Sequence, residues 1–383
     1  MKKVITMVGT SLFENYIEKH DNTNFKLAYD HFKGNKDKAK RVKADELDNE
    51  EDRRKIIEGV LNEKYFKNNI NASAEIKSLI KLKKQLKDDF EIYLLYSDTA
   101  LSRLAAEILK EKLNLYEELQ NCNIIIKKIE GLQIWDKKEF EKGMANLTNE
   151  IYNIAQGYWG DIVINITGGY KATIPYLTIL AQINKCPIYY IFEETDDLIE
   201  IPHFTSVKIE INKDLFGKYW KIFEKIEHPK LLLKNNVDDE FIKECGIMIE
   251  ETKIDNQLYI SLHPLGEIFW KKYKEEYFIF YAPEDVYKEI EKQQNIKQIL
   301  TQKFWKNEQR KNKTEIKNGH QVYDDGNNPY RIFYFEENNE IYIYKTFENH
   351  DKYERYLNET RIDDNFKNKI KEQSKIYKME VKR

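Results

Sequence analysis

The chain has 383 residues, enough for two or three domains, and 34% of them are charged. Lys and Arg (63) nearly cancel Asp and Glu (66), leaving a net charge of −3, so a nucleic-acid surface has to be a local patch. A hydrophobic content of 41% excludes wholesale disorder, and no apolar run is long enough to span a bilayer, so no membrane partner is expected. The 26 Tyr and 19 Phe, many alternating with charges, point to a substantial β component. Cys122, Cys186 and Cys245 are scattered without metal-like spacing and read as structural thiols of a cytoplasmic protein.

Met1–Met7 is too short an apolar stretch for a signal peptide and reads as a first buried strand. That first strand is placed at Val4–Val8, and further strands are predicted at Glu91–Tyr96, Asn123–Lys127, Asp161–Ile166 and Pro187–Phe192, with an edge strand at Val207–Ile211. Charged helices at Leu101–Leu119 and Lys137–Gln156 alternate with them. This is the α/β pattern of a parallel sheet covered on both faces, and it assigns 1–213 to one domain. Phe32–Asn69 is densely charged and reads as a peripheral helical insertion with a solvated face. From Leu215 the pattern shortens to helices at Leu215–Ile226 and Asp238–Cys245, then Ile247–Glu251 and Gln257–Leu262 around the turn Asp255-Asn256. Two helices and a hairpin predict a winged-helix-like middle module at 214–280. The remainder, 281–383, is introduced by a strand at Tyr277–Tyr281. It begins with Pro283 and a helix at Glu284–Trp305, continues through a basic stretch, and ends in strands Tyr330–Phe335 and Glu340–Thr346. It reads as an α+β domain with a curved antiparallel sheet.

Three clusters fall at the carboxyl ends of predicted parallel strands, where open α/β sheets bind ligands. They are Gly9-Thr10-Ser11-Leu12, Ser97-Asp98-Thr99, and the segment Asn165-Ile166-Thr167-Gly168-Gly169-Tyr170-Lys171-Ala172-Thr173. Glycine lets the backbone approach a phosphate, and Lys171 and Thr173 add a cation and a hydroxyl. Such residues also serve as plain helix caps. The dinucleotide and P-loop fingerprints are both absent.

The set Val8-Gly9-Thr10-Ser11-Leu12, Tyr96-Ser97-Asp98-Thr99 with Arg103-Leu104-Ala105-Ala106-Glu107, and Asn165–Lys171 resembles the CRISPR-associated Rossmann fold (CARF) family. The resemblance implies a Rossmann-like sheet in a homodimer whose two-fold axis forms a pocket for a cyclic oligoadenylate. Cyclic tetra-adenylate is the expected activator, made by a type III CRISPR complex. Gly9, Thr10, Ser11, Leu12, Ser97, Asp98, Thr99, Thr167, Gly168, Gly169, Lys171 and Thr173 are then the ligand-binding candidates.

A sensor of this kind carries an effector. The Arg-to-His spacing of a HEPN ribonuclease is missing, since Arg310 and His320 stand too far apart. Glu251-Thr252-Lys253 and Glu380-Val381-Lys382 match the short PD-(D/E)xK pattern, as chance allows in a chain rich in Glu and Lys. The segments Pro329–Phe335, Ile341–Phe347 and His350–Tyr353 resemble instead the RelE/YoeB/HigB messenger-RNA interferases. That resemblance implies a RelE-like fold and RNA cleavage by the substrate's own 2′-hydroxyl, on ribosome-bound messenger RNA, with no metal or other cofactor. Arg331 takes the place of the arginine on the scissile phosphate. His350, Tyr353, His320 and Lys345 are the further catalytic candidates, and Lys311, Lys313 and Lys317 the RNA grip. Two other readings stand beside this one: a ligand-gated transcription regulator, and a ring nuclease that degrades the cyclic ligand.

Overall fold

The computed structural model describes residues 1–33, 42–46, 50–60, 63–66, 69–133, 135–192, 196–201, 211–326, 328–338 and 340–382. The chain divides into two compact units, Met1–Lys271 and Lys272–Arg383.

The first unit opens with β1 (Lys2–Val8), α1 (Ser11–Lys19), α2 (Thr23–Lys33), α3 (Glu50–Val60), α4 (Glu63–Phe66) and α5 (Ala74–Leu86). It continues with β2 (Phe90–Ser97), α6 (Ala100–Lys112), β3 (Asn123–Ile129), α7 (Lys137–Ala155), β4 (Ile162–Asn165), α8 (Ile174–Asn184), β5 (Ile188–Ile191) and β6 (Leu198–Ile201). These strands form a sheet in the order β3-β2-β1-β4-β5-β6, parallel throughout except that β6 runs antiparallel to β5. Strand alternation sends Val4, Val8, Ile92 and Leu94 into a core with α1, α2, α5 and α6. Ile5, Met7, Leu95 and Ile164 face α7 and α8 on the other side. Side chains cap three of the helices: Ser73 accepts from Ile76 N–H before α5, Thr99 from Ser102 N–H before α6, and Asp136 from Glu139 N–H before α7.

The same unit ends in α9 (Lys213–Ile226), β7 (Leu232–Leu233), α10 (Asp239–Cys245), β8 (Ile249–Ile254), β9 (Gln257–Leu262) and α11 (Pro264–Lys274), which runs across the division. The small sheet has the order β7-β9-β8. Asp255 and Asn256 both take positive φ (46° and 64°), the backbone a two-residue hairpin demands. Phe216, Phe223, Phe241 and Trp270 stack beneath it, and Ile268 of α11 enters the core beneath α7 and α8.

The second unit contains β10 (Tyr277–Pro283), α12 (Glu284–Lys292), α13 (Gln294–Ile299) running into a π-helical turn at Leu300–Phe304, and α14 (Asn307–Asn312). There follow β11 (Thr314–Lys317), β12 (His320–Asp324), β13 (Arg331–Glu337), β14 (Glu340–Phe347), α15 (His350–Glu359), α16 (Asp364–Gln373) and β15 (Ser374–Glu380). The sheet order is β11-β12-β13-β14-β10-β15, with β10 parallel to β14 and the other pairs antiparallel. Val286, Ile290 and Ile296 of α12 and α13 pack on one face; Tyr353, Leu357 and Ile370 of α15 and α16 pack on the other.

Several expectations shift. The boundary expected at 280/281 would cut β10, which pairs with the C-terminal sheet along its whole length. Four residues of the expected edge strand Val207–Ile211 lie outside the described residues, and the antiparallel edge is β6. The long helix expected at Glu284–Trp305 breaks at Gln293, whose ψ of 85° is not helical. Within the basic stretch β11 and β12 form a hairpin through Asn318 and Gly319, both at positive φ.

Candidate functional site

The order of the first sheet reverses at β1, with β2 and β3 to one side and β4 and β5 to the other. The loops leaving β1 and β4 lead to α1 on one face and α8 on the other, at the carboxyl end of the sheet, where open α/β sheets have their ligand crevice. Gly9 and Gly169 meet there. A Cβ on Gly9 would lie 3.0 Å from Gly169 N, and one on Gly169 (φ +83°) would lie 2.5 Å from Met7 Cβ. A Cβ on Gly168 would sit 2.3 Å from Glu75 Oε1 and 2.8 Å from Met7 O. Both glycines of the pair are thus required by close packing.

Asn165 holds the second loop. It is fully buried; its Nδ2 donates to Ser78 Oγ (2.7 Å) and Thr6 Oγ1 (3.3 Å). Its Oδ1 accepts from Thr167 N–H (3.2 Å) and Thr167 Oγ1–H (2.8 Å). Ile191 N–H donates to Thr167 Oγ1 at 3.1 Å, which ties the loop to β5.

Sequence reasoning missed Glu75, which holds the first loop. This carboxylate, 1% exposed in the first turn of α5, accepts Gly9 N–H at 2.8 Å and Ser11 Oγ–H at 3.2 Å. Ser11 Oγ in turn accepts Ala74 N–H at 3.2 Å. Ser73 followed by Glu75 is a helix-start pattern, but nothing in it says which loop the carboxylate will meet.

The twelve ligand candidates separate by exposure. Gly9, Thr10, Ser11, Thr167, Gly168 and Gly169 are half-buried at the crevice and Lys171 is exposed beside it. The Leu12 side chain is fully buried in the core, so only its backbone could meet a ligand. Ser97, Asp98 and Thr99 are buried scaffolding: Ser97 and Thr99 share a 3.1 Å hydroxyl contact, and Asp98 Oδ2 accepts Gly131 N–H at 3.2 Å. Thr173 is also buried, and its hydroxyl donates to Tyr170 O at 2.7 Å. Ser102 Oγ, donating to Val8 O at 2.8 Å, fastens the turn after β2 to the end of β1.

In the second unit Arg331 starts β13 directly opposite Asp324 of β12. Its side chain is 9% exposed; Nη2 pairs with Asp324 Oδ2 at 2.8 Å, and Nη1 donates to Asn328 O (2.6 Å) and Tyr330 O (2.8 Å). The guanidinium lies 5.4 Å from the Tyr353 ring centroid, and Lys317 Nζ lies 5.8 Å from the same ring. His350 meets that ring edge-on at 4.9 Å and is largely exposed, with Glu354 at 3.7 Å. Arg331, His350 and Lys317 are therefore gathered around the Tyr353 ring. Lys311 in the last turn of α14 and Lys313 just after it are exposed, and Asp324 N–H donates to Lys313 O at 2.8 Å, placing this stretch along the Arg331 edge.

Two catalytic candidates fall elsewhere. His320 is completely buried; Nδ1 bonds Tyr344 Oη and Nε2 bonds Thr360 O, both at 2.8 Å, so it is a packing residue with both nitrogens engaged. Lys345 reaches Glu289 of α12 at 3.2 Å, on the face of the sheet opposite α15 and Tyr353. Arg310, in the basic stretch, is also structural, buried against Glu336 at 2.6 Å.

No curated protein matches the chain. One similar solved structure is that of Can2 from Sulfobacillus thermosulfidooxidans in complex with cyclic tetra-adenylate. It shares 12% identity over 68% of this chain and 71% of that chain, with a TM-score of 0.21. Residues 70–204, from the turn before α5 past the end of β6, match the family described as CRISPR-associated protein (Cas_APE2256).

Proposed function

We propose that the chain is a cyclic oligoadenylate-gated ribonuclease of type III CRISPR defence, its first unit the sensor and its second a RelE-like effector. One observation carries the sensor half. Two glycine-bearing turns pack closely against each other at the switch point of a parallel sheet, in a chain whose residues 70–204 match a CRISPR-associated family. Lys171 at the rim supplies a cation for phosphate. A ring with an even number of repeats suits a two-fold axis, so the functional sensor is a homodimer.

The effector reading rests on the cluster around Tyr353. RNA cleavage by a neighbouring 2′-hydroxyl needs a cation for charge developing on phosphorus and groups that move protons to and from the two oxygens. Arg331 is the cation, and His350, exposed beside it, is the proton-transfer group. Lys311, Lys313 and Lys317 face the RNA backbone, and Tyr353 orients the guanidinium. Arg331 is held by Asp324 as it stands, so engaging phosphate means exchanging one carboxylate for another anion. Translating ribosomes supply the messenger RNA.

Attack by the 2′-hydroxyl leaves a 2′,3′-cyclic phosphate on one fragment and a 5′-hydroxyl on the other. Fragments should carry those ends; 5′-phosphate ends would contradict the reading. The transcription-regulator reading is disfavoured by α10, where Glu240 and Glu244 both bind Lys218 and leave an acidic surface.

A further inference from the structure

Arg310 and Arg331 are both buried in the second unit, and they are held differently. Every side-chain nitrogen of Arg310 is bonded: Nε to Glu336 Oε1 (2.7 Å), Nη1 to Phe304 O (3.0 Å), and Nη2 to Asn307 Oδ1 (3.1 Å) and Glu336 Oε1 (2.6 Å). That is a structural arginine. Arg331 is held at its tip alone. Both Nη1 protons go to carbonyls at the turn between β12 and β13, Asn328 O and Tyr330 O, and Nη2 pairs with Asp324 Oδ2. Its Nε is buried and has no partner among the described residues. Tyr353 lies over the guanidinium, and only 9% of the side chain is exposed, so the cation is largely closed to an incoming phosphate.

The turn that closes it is itself tethered. Asp324 Oδ1 accepts Gly326 N–H at 2.9 Å, Asn328 Oδ1 accepts Tyr330 N–H at 2.9 Å, and Asp325 is tied to Lys303 of the π-helical turn at 2.6 Å. We infer that the turn between β12 and β13, with Asp324 as the group that closes it, is an autoinhibitory latch that keeps Arg331 from the substrate phosphate. A buried N–H without a partner carries a cost. The Nε–H and the neighbouring Nη2–H of a guanidinium run parallel and suit two oxygens of one phosphate. A phosphate that displaces Asp324 from Nη2 therefore also satisfies Nε, and release replaces one bond with two. The inference rests on the proposed ribonuclease reading and deepens it by naming what holds that site off.

The test is binding of a uniformly 2′-O-methylated RNA, which lacks the attacking hydroxyl, to the full chain by fluorescence anisotropy. Asp324→Asn keeps an oxygen for Gly326 N–H and removes the charge that competes for Nη2, and it should bind this RNA at least about fivefold more tightly than wild type. The gain should vanish in an Arg331→Ala background, and cleavage of messenger RNA without the cyclic ligand should rise with it. Phenylglyoxal modification of the wild type, mapped by mass spectrometry, serves if Asp324→Asn does not fold: Arg331 should react at least about tenfold more slowly than the exposed Arg355 and Arg361. Unchanged or weaker binding by Asp324→Asn overturns the latch, and so does a gain that persists without Arg331, which is the general effect of one fewer negative charge. Tighter binding with slower cleavage would put Asp324 into the chemistry and overturns it too, as does wild-type Arg331 reacting as fast as Arg355 and Arg361. RNA bound by none of these proteins overturns the inference together with the ribonuclease reading.

Discussion

Arg331 stands between two demands. Its guanidinium pairs with Asp324 and stacks on Tyr353, so it stabilises the second unit; the proposed chemistry needs the same group on phosphate. Arg331→Ala should abolish cleavage and also destabilise the unit by about 2–4 kcal/mol, because Asp324 loses its cation and Tyr353 its stacked partner. Arg331→Lys restores charge without the planar fork and should leave cleavage at least about tenfold down. Denaturant midpoints and initial cleavage rates on the same preparations check both statements. His320 separates role from residue type. Read from sequence it is a base on the strand beside the arginine, yet it is buried with both nitrogens bonded. His320 alternates onto the same face of β12 as Val322, and it is the cover from Tyr344, Tyr356 and Thr360, remote in sequence, that buries it. His320→Ala should therefore cost about 2–4 kcal/mol of stability, leaving Tyr344 Oη and Thr360 O unpaired, and any fall in rate should follow the folded fraction. A rate that falls at full folding would return His320 to the chemistry.

At the scale of elements, the contact of β8 with α7 joins the small hairpin module to the parallel sheet. Glu250 of β8 and Glu141 of α7 face each other there, with Lys137 of α7, Tyr176 of α8 and Ser261 of β9 around them. Burial first, and then the bond and charge of Glu141, push the Glu250 carboxyl up from 4.5 to about 7. Burial lowers the nearby His263, with Glu141 partly opposing it. An acid whose folded pKa lies above its unfolded value contributes no penalty while both states are protonated, and a growing one once only the unfolded state ionises. Stability of the first unit should thus be highest below about pH 4.5 as far as this pair is concerned and fall as pH rises to about 7. For a half-buried group, after discounting for solvent screening, the loss is of order 1 kcal/mol, and Glu250→Gln should remove this slope in denaturation between pH 5 and 7.5. The carboxyl pair could not be read from the sequence, because Glu141 and Glu250 lie on different elements of a long chain. The strands themselves were legible, since β1, β2, β3 and β4 are apolar runs bounded by turn residues. The turn of the β11–β12 hairpin is Asn318-Gly319, a hairpin signal that sequence reasoning missed.

For the whole molecule, what the sequence does not carry is the order of strands. That β1 is central, and that the Gly9 and Gly168-Gly169 turns therefore meet, follows from crossovers, as does the insertion of β10 between β14 and β15. Two units with separate cores should unfold in two steps. Cyclic tetra-adenylate should raise only the transition of the unit holding the crevice, by about 2.7 kcal/mol at a hundredfold excess over Kd, as differential scanning calorimetry of the full chain can show. A shift confined to the other transition would move the ligand site away from the β1 crevice. Gating adds a further requirement, that the ligand bind the active arrangement more tightly than the resting one. The most direct measurement is messenger-RNA cleavage in a translating extract, with and without cyclic tetra-adenylate, by wild type and Arg331→Ala. Cleavage that needs both the ligand and Arg331 is the predicted result; ligand binding with no cleavage, or cleavage indifferent to either, would contradict it.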